Sequence, residues 1–292
     1  MCKLPMALMF STAIFCSASA YDAFATDISV VQFNSASAPA SKLQKRQADA
    51  KGIDLKPQPG PLTTGKLSIP DGDGPFPAIV MITDCRGIMP FEDNWAQRFN
   101  DWGYVTLEVD TIGTRNRADE CKDMIMTGLS QATAMEAFGA LAFLESLPKV
   151  SPARIGAVGW ANGATLSLAS RDGARQLSDH GFRGVVAFYP DCTQISTAAF
   201  VDPVLILSAG ADDWTKPEVC GQLASQDEHV EIFEFPEALR GFDDPSMGER
   251  TVMADIQNNF KNPAFGVTFG YNADAHDVAA AKVRDYLAAH LH

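Results

Sequence analysis

The sequence predicts an α/β chain built on a mostly parallel central sheet with helices on both faces, and three observations carry that prediction. Short apolar runs of strand length alternate with longer segments of helical spacing. One run, Pro77-Ala78-Ile79-Val80-Met81-Ile82, is apolar throughout, as a strand covered on both faces must be. The stretch RIGAVGWANGATL, residues 154–166, reads as a buried strand turning sharply into a helix across Gly159-Trp160-Ala161-Asn162-Gly163. Repeated strand, helix, strand units imply parallel pairing, and ligands of such sheets sit at the carboxyl ends of the strands.

Taken in order, residues 1–20 carry Lys3, an apolar run over residues 6–16 and the small-residue pattern Ala18-Ser19-Ala20. They read as a secretory signal peptide cleaved before Tyr21, so the mature chain is expected to be exported, periplasmic or secreted. The run is too short for a membrane span, and bulky Phe15 argues against acylation of Cys16. Residues 21–60 show a strand at 28–33 and otherwise an irregular lead-in through SASAPAS and KPQPGP. A strand at 65–69 and the turn Pro70-Asp71-Gly72-Asp73-Gly74-Pro75 deliver the chain to the apolar strand at 77–82.

Beyond it, a helix carries Trp95, Ala96 and Phe99 and ends near Gly103, and residues 104–109 form the next strand. Residues 130–147 form a long helix with Ala134, Phe138, Leu141 and Glu145 along one line. The strand and helix around Gly159 follow, then strands at 184–188, 203–207 and 230–235, and a last helix over about 273–291. The glycines at 156, 159 and 163 do not follow G-x-G-x-x-G spacing, so a dinucleotide cofactor is not expected.

With 292 residues, 46% hydrophobic and 20% charged, the chain can bury one large core, and residues 61–292 are read as one domain. A net charge of -13 excludes a phosphate-tracking nucleic-acid surface. Of six cysteines, Cys2 and Cys16 leave with the signal. Cys85, Cys121, Cys192 and Cys220 remain, an even number suited to two disulfides in any of three pairings. No C-x-x-C or Cys/His cluster appears, so no metal is expected.

The turn at Gly159–Gly163 has the spacing of a nucleophile elbow, in which glycines keep the crossing free of clashes while the central side chain is held up for attack. Here that residue is Ala161, a methyl group. Four stretches, GPFPAIVMITDCRGI, NWAQRFNDWGYVTLEVD, GWANG and LILSAGADDWTKPEVC, together resemble the dienelactone hydrolase family of α/β-hydrolases, particularly its exported members. The resemblance runs from about Gly65 to the C-terminus and implies the α/β-hydrolase fold. It also implies a triad of Cys or Ser at the elbow, Asp after a later strand and His after the last strand.

On that pattern the nucleophile position is Ala161. The acid position is Asp212, or Asp213 if the register slips by one. The base position falls on Arg240 in EALRGFDDP. Arginine does not give up its proton near neutral pH, so two of the three positions are chemically inert. His180, His229, His276, His290 and His292 each read as solvated surface residues, with His276 ranked first as a substitute base. Where the family has a His-Gly turn before Cys-x-Gly, this chain has Thr83-Asp84 before Cys85-Arg86-Gly87. The oxyanion hole would draw a backbone N–H from Asn162, and Asp84 places negative charge near it. A single knockout at Ala161 would not account for Arg240 or Thr83-Asp84, so the site reads as naturally degenerate.

The resemblance also bears on the cysteines. It pairs the stretches holding Cys192 and Cys220, which follow neighbouring parallel strands, and Cys85 with Cys121 is what then remains.

Two functions follow. The first is an exported, catalytically degenerate protein with a retained pocket. Arg240 would either pair plainly with Asp212 or, helped by Arg86, grip a small anionic ligand through its bidentate fork. The second is a carboxylic-ester or lactone hydrolase with a relocated nucleophile at Cys85 or Cys192. No nucleic acid or membrane span is expected, and the sequence leaves the oligomeric state open.

Overall fold

The computed structural model describes residues 26–37, 40–54, 58–83, 86–113, 126–161, 181–194, 200–258, 260–261 and 263–292. Its strands are β1 (Thr26–Asn34), β2 (Leu62–Pro70), β3 (Phe76–Ile82), β4 (Val105–Asp110), β5 (Val150–Trp160), β6 (Val185–Phe188), β7 (Val204–Ala209) and β8 (Val230–Phe235). They lie side by side in the order β1, β2, β4, β3, β5, β6, β7, β8. The β1 and β2 pairings are antiparallel and every pairing from β4 to β8 is parallel.

The described helices are α1 (Lys42–Lys51), α2 (Pro90–Asp101), α3 (Met126–Glu145), α4 (Pro217–Gln226) and α5 (Ala273–Leu291). Alternation along the strands sends side chains to two separate cores. Ala78, Val80 and Ile82 of β3 join Ala134, Phe138 and Leu141 of α3 and Leu223 of α4 on one face. Ile79 and Met81 join Trp95 and Phe99 of α2 and Ala279, Val283 and Leu287 of α5 on the other. Each large side chain buried this way stabilises by about 1.5–3 kcal/mol relative to exposure. The two-faced sheet is the architecture that the apolar runs predicted.

Helix α2 starts at Pro90, where a missing N–H costs nothing, and the Glu92 side chain accepts from the N–H of Met89 at 2.7 Å. At the start of α5, the side chain of Asn272 accepts from Ala275 N at 3.0 Å.

Two regions differ from the sequence reading. The lead-in expected to be irregular contains α1, opened by a full capping box. Ser41 Oγ accepts from Gln44 N at 3.2 Å and Gln44 Oε1 accepts from Ser41 N at 2.8 Å, and Gly52 ends the helix at φ 60. KLQKRQADAK shows no apolar stripe, so periodicity alone misses it. A two-stranded sheet of β9 (Thr251–Gln257) and β10 (Phe265–Phe269) also lies between β8 and α5. Strand β9 is largely exposed, which removes the alternation that marks a half-buried strand. The helix expected after Gly163 lies outside the described residues.

Candidate functional site

The carboxyl ends of β5, β6, β7 and β8 bring the site together. Ala161 follows β5 at φ 59, a left-handed conformation rare for a residue with a Cβ, and its N–H donates to Phe188 O at 3.0 Å. Tyr189 follows β6 and also has positive φ, at 37. The backbone is therefore strained at Ala161, whose side chain is a methyl.

Asp212 follows β7 and is held by its own loop. Its Oδ1 accepts from Trp214 N at 2.8 Å and Thr215 N at 3.3 Å, and its Oδ2 accepts from Thr215 Oγ1 at 2.8 Å. Arg240, after β8, completes that shell. Its Nε donates to Asp212 Oδ2 at 3.0 Å, Nη2 lies 2.9 Å from the same oxygen, and Nη2 donates to Tyr189 O at 2.8 Å. The guanidinium also lies over the rings of Tyr189 and Trp214, 5.2 and 4.9 Å from their centroids. Only 1% of each of the Arg240 and Asp212 side chains is exposed.

The neighbouring Asp213 points elsewhere. It accepts from Lys261 Nζ at 2.6 Å, Thr268 N at 2.9 Å and Thr268 Oγ1 at 2.5 Å, which pins β10 and the turn before it to the loop after β7. Burial pushes its carboxyl up, but the bonds from Lys261 and Thr268 outweigh burial and hold it below the usual carboxylate range. Asp212 is thus the one that meets Arg240.

Arg86 sits after β3 with 14% of its side chain exposed, its Nη1 3.6 Å from Asp244 Oδ2. The rings of Phe91 and Phe269 each lie 5.6 Å from its guanidinium carbon. Thr83 is buried, its hydroxyl 3.3 Å from that of Thr111. Asp84, Cys85, Cys121, Asn162 and His180 lie outside the described residues. Cys192 and Cys220 form a disulfide with Cα atoms 5.2 Å apart, the expected pairing, which occupies Cys192 and removes it as a nucleophile.

His276 is not the solvated surface residue that the sequence suggests. His276 is partly buried at the start of α5, and both ring nitrogens are engaged: Arg98 Nη2 lies 3.0 Å from Nε2, and Nδ1 lies 3.1 Å from Asp243 O. A guanidinium only donates, which assigns Nε2 as acceptor and the proton to Nδ1. His229 pairs with Asp227 at 2.9 Å, and the rings of His290 and Tyr286 lie 4.4 Å apart. His292 is exposed, its ring 5.2 Å from that of Tyr104, and 38% of the His229 side chain is exposed.

The sequence reading missed Asp243. Its side chain is wholly buried, with Oδ2 accepting from Trp95 Nε1 at 2.9 Å and Trp160 Nε1 at 2.8 Å, and Oδ1 from Tyr189 OH at 2.8 Å. Burial pushes this carboxyl above the usual range, against the three bonds that favour its charge. The segment Arg240-Gly241-Phe242-Asp243-Asp244 therefore ties to the loops after β3, β6 and β7, to the end of β5 and to α2. The donors are scattered over the sequence at positions 95, 160 and 189, and no spacing announces them.

The fold, with its loops converging on the carboxyl edge after β5, β7 and β8, is that of an α/β hydrolase. Over residues 64–291 the chain matches the dienelactone hydrolase family, and it belongs to that family. Among solved structures it is similar to a dienelactone hydrolase-like promiscuous phosphotriesterase from metagenomic libraries, with a TM-score of 0.59 and 16% identity, covering 91% of this chain and 99% of that one. It is also similar to a dienelactone hydrolase from Anabaena variabilis, with a TM-score of 0.58 and 15% identity, covering 80% and 94%. At these identities the likeness is one of fold. A comparison with curated proteins found no match. Among the described residues no helix is long and apolar enough to cross a membrane, and no group of three or more His, Cys, Asp or Glu could hold a metal ion.

Proposed function

We propose that this chain is a catalytically degenerate member of the dienelactone hydrolase family that keeps the hydrolase scaffold to bind small anionic molecules. The observation that carries the reading is the buried pair of Arg240 with Asp212. A triad needs a group there that can take a proton from the nucleophile, and a guanidinium in a closed ion pair cannot. Ala161 supplies no nucleophile for it to activate.

The same burial supports the plainer of the two roles open to Arg240. With 1% of its side chain exposed Arg240 acts as a structural replacement, and an anionic ligand would have to share the partly exposed Arg86 guanidinium with Asp244, whose Oδ2 lies 3.6 Å from Nη1. We also place the protein outside the cytoplasm, a reading that the Cys192–Cys220 bond supports because such bonds persist in oxidising compartments.

The test is a panel of short acyl esters and lactones, run beside thermal shift with small carboxylates. The wild type should show no turnover above buffer, and carboxylates should stabilise it but not Arg86→Ala. Turnover that vanishes on thiol alkylation would instead favour a relocated cysteine nucleophile, and no response to any carboxylate would remove the binding role.

A further inference from the structure

A second cluster of ionisable groups lies away from these loops, where β2, β4 and α2 meet. Glu108 stands opposite Lys66 in the β2 to β4 register and beside Met81 in the β3 to β4 register. Its side chain is completely buried, and among the described residues neither carboxyl oxygen accepts a hydrogen bond. The nearest cation is Lys66 Nζ at 3.6 Å, which makes its shorter contact with Asp93 of α2. Lys66 and Asp93 are the titratable groups that act on Glu108 from the elements packed against it.

We propose that Glu108, Lys66 and Asp93 form a proton-operated latch that docks α2 on the sheet and so sets one wall of the carboxyl-edge site. With Glu108 protonated, the cluster is one Lys66–Asp93 ion pair over a neutral acid. With Glu108 ionised, two carboxylates share one ammonium, and one of them is shut away from water without hydrogen-bond donors, an arrangement that burial penalises. The strain falls on α2, because Asp93 lies in its first turn. Phe91 in the same turn packs edge-on against Trp160, the residue before Ala161, with centroids 5.8 Å apart, and lies under the Arg86 guanidinium. The latch operates whether the site turns over a substrate or only binds one.

The direction of the response follows. Burial, reinforced by Asp93 and opposed by Lys66, pushes Glu108 up from 4.5 to about 7. A group with a raised folded pKa contributes fully below its unfolded value and loses that contribution as pH rises through the folded one. Closure therefore weakens between about pH 4.5 and about pH 7 and stays weak above.

The experiment follows Tm and α2 amide exchange, corrected for intrinsic rates, from about pH 5 to about pH 8 on the full chain and on Glu108→Gln. The wild type should lose α2 protection with rising pH relative to α5, and Glu108→Gln should not. The variant should gain about 2 °C or more over wild type at the alkaline end and little at the acid end. Asp93→Asn supplies a second arm, since removing the like charge should move the wild-type transition to lower pH. Parallel pH profiles for wild type and Glu108→Gln, or an unmoved transition in Asp93→Asn, overturns the latch.

Discussion

Arg240 Nε lies 3.0 Å from Asp212 Oδ2, inside a shell from which water is excluded. This contact joins the loops after β7 and β8 without any imidazole between them. Removing one partner of a buried ion pair leaves the other charge uncompensated, at a cost of about 3–5 kcal/mol. Arg240→Met should therefore lower the urea midpoint by that equivalent. Arg240→Lys should recover little, because an ammonium cannot span both Asp212 and the Tyr189 carbonyl. A loss under about 1 kcal/mol for Arg240→Met would mean that the pair is not what holds these loops.

Asp243 organises the other side of the same segment. Asp243→Ala strands three buried donors, the indoles of Trp95 and Trp160 and the hydroxyl of Tyr189, each costing about 1–3 kcal/mol when unmatched. Asp243→Asn keeps one carbonyl oxygen and should lose less. Chemical denaturation with tryptophan fluorescence reads both quantities at once. Equal stability of the alanine and asparagine variants would show that the three bonds do not act through the carboxylate.

The β9–β10 hairpin should come loose in acid. Asp213 is held below its ordinary value of 3.8, so its contribution is present above that pH and is lost as pH falls through the lowered folded value. Asp213→Asn should be less stable than wild type near neutral pH, and the gap should close as the pH drops below about 3.8. The measurement is the difference in Tm between the two proteins over that range. A gap that does not narrow would place the hairpin's anchor elsewhere.

Cysteine connectivity tests the chain's redox setting. Reducing Cys192–Cys220, which closes a separation of 28 residues, should cost about 2–4 kcal/mol. Peptide mapping without reductant should recover that pair and Cys85 with Cys121. Four free thiols in protein purified from its native compartment would contradict export.

These elements differ in how far the sequence displays them. Strands β3 and β8 and helix α5 were legible because short apolar runs and helical spacing mark them. The positions of Asp212 and Arg240 were legible through the resemblance of the stretches around them, and their contact followed once the fold was fixed. Asp243 was not legible, since a buried carboxylate is defined by donors from three distant elements. His276 was misread as solvated, because a polar residue in the first turn of a helix looks exposed until the Asp243 carbonyl and Arg98 close on it. The hairpin was missed because an exposed ribbon carries little alternation.

The central claim is that Ala161, Asp212 and Arg240 occupy the places of nucleophile, acid and base. Its most direct test is initial rates on one activated ester for the wild type, Ala161→Cys, Arg240→His and the double variant. Triad members act as a unit, so each single should stay near the wild-type baseline, and the double should exceed the sum of the singles. A double variant that folds normally yet remains as inert as the singles, even with Asp84→Gly added, would contradict the assignment, as would a wild type already as fast as the double.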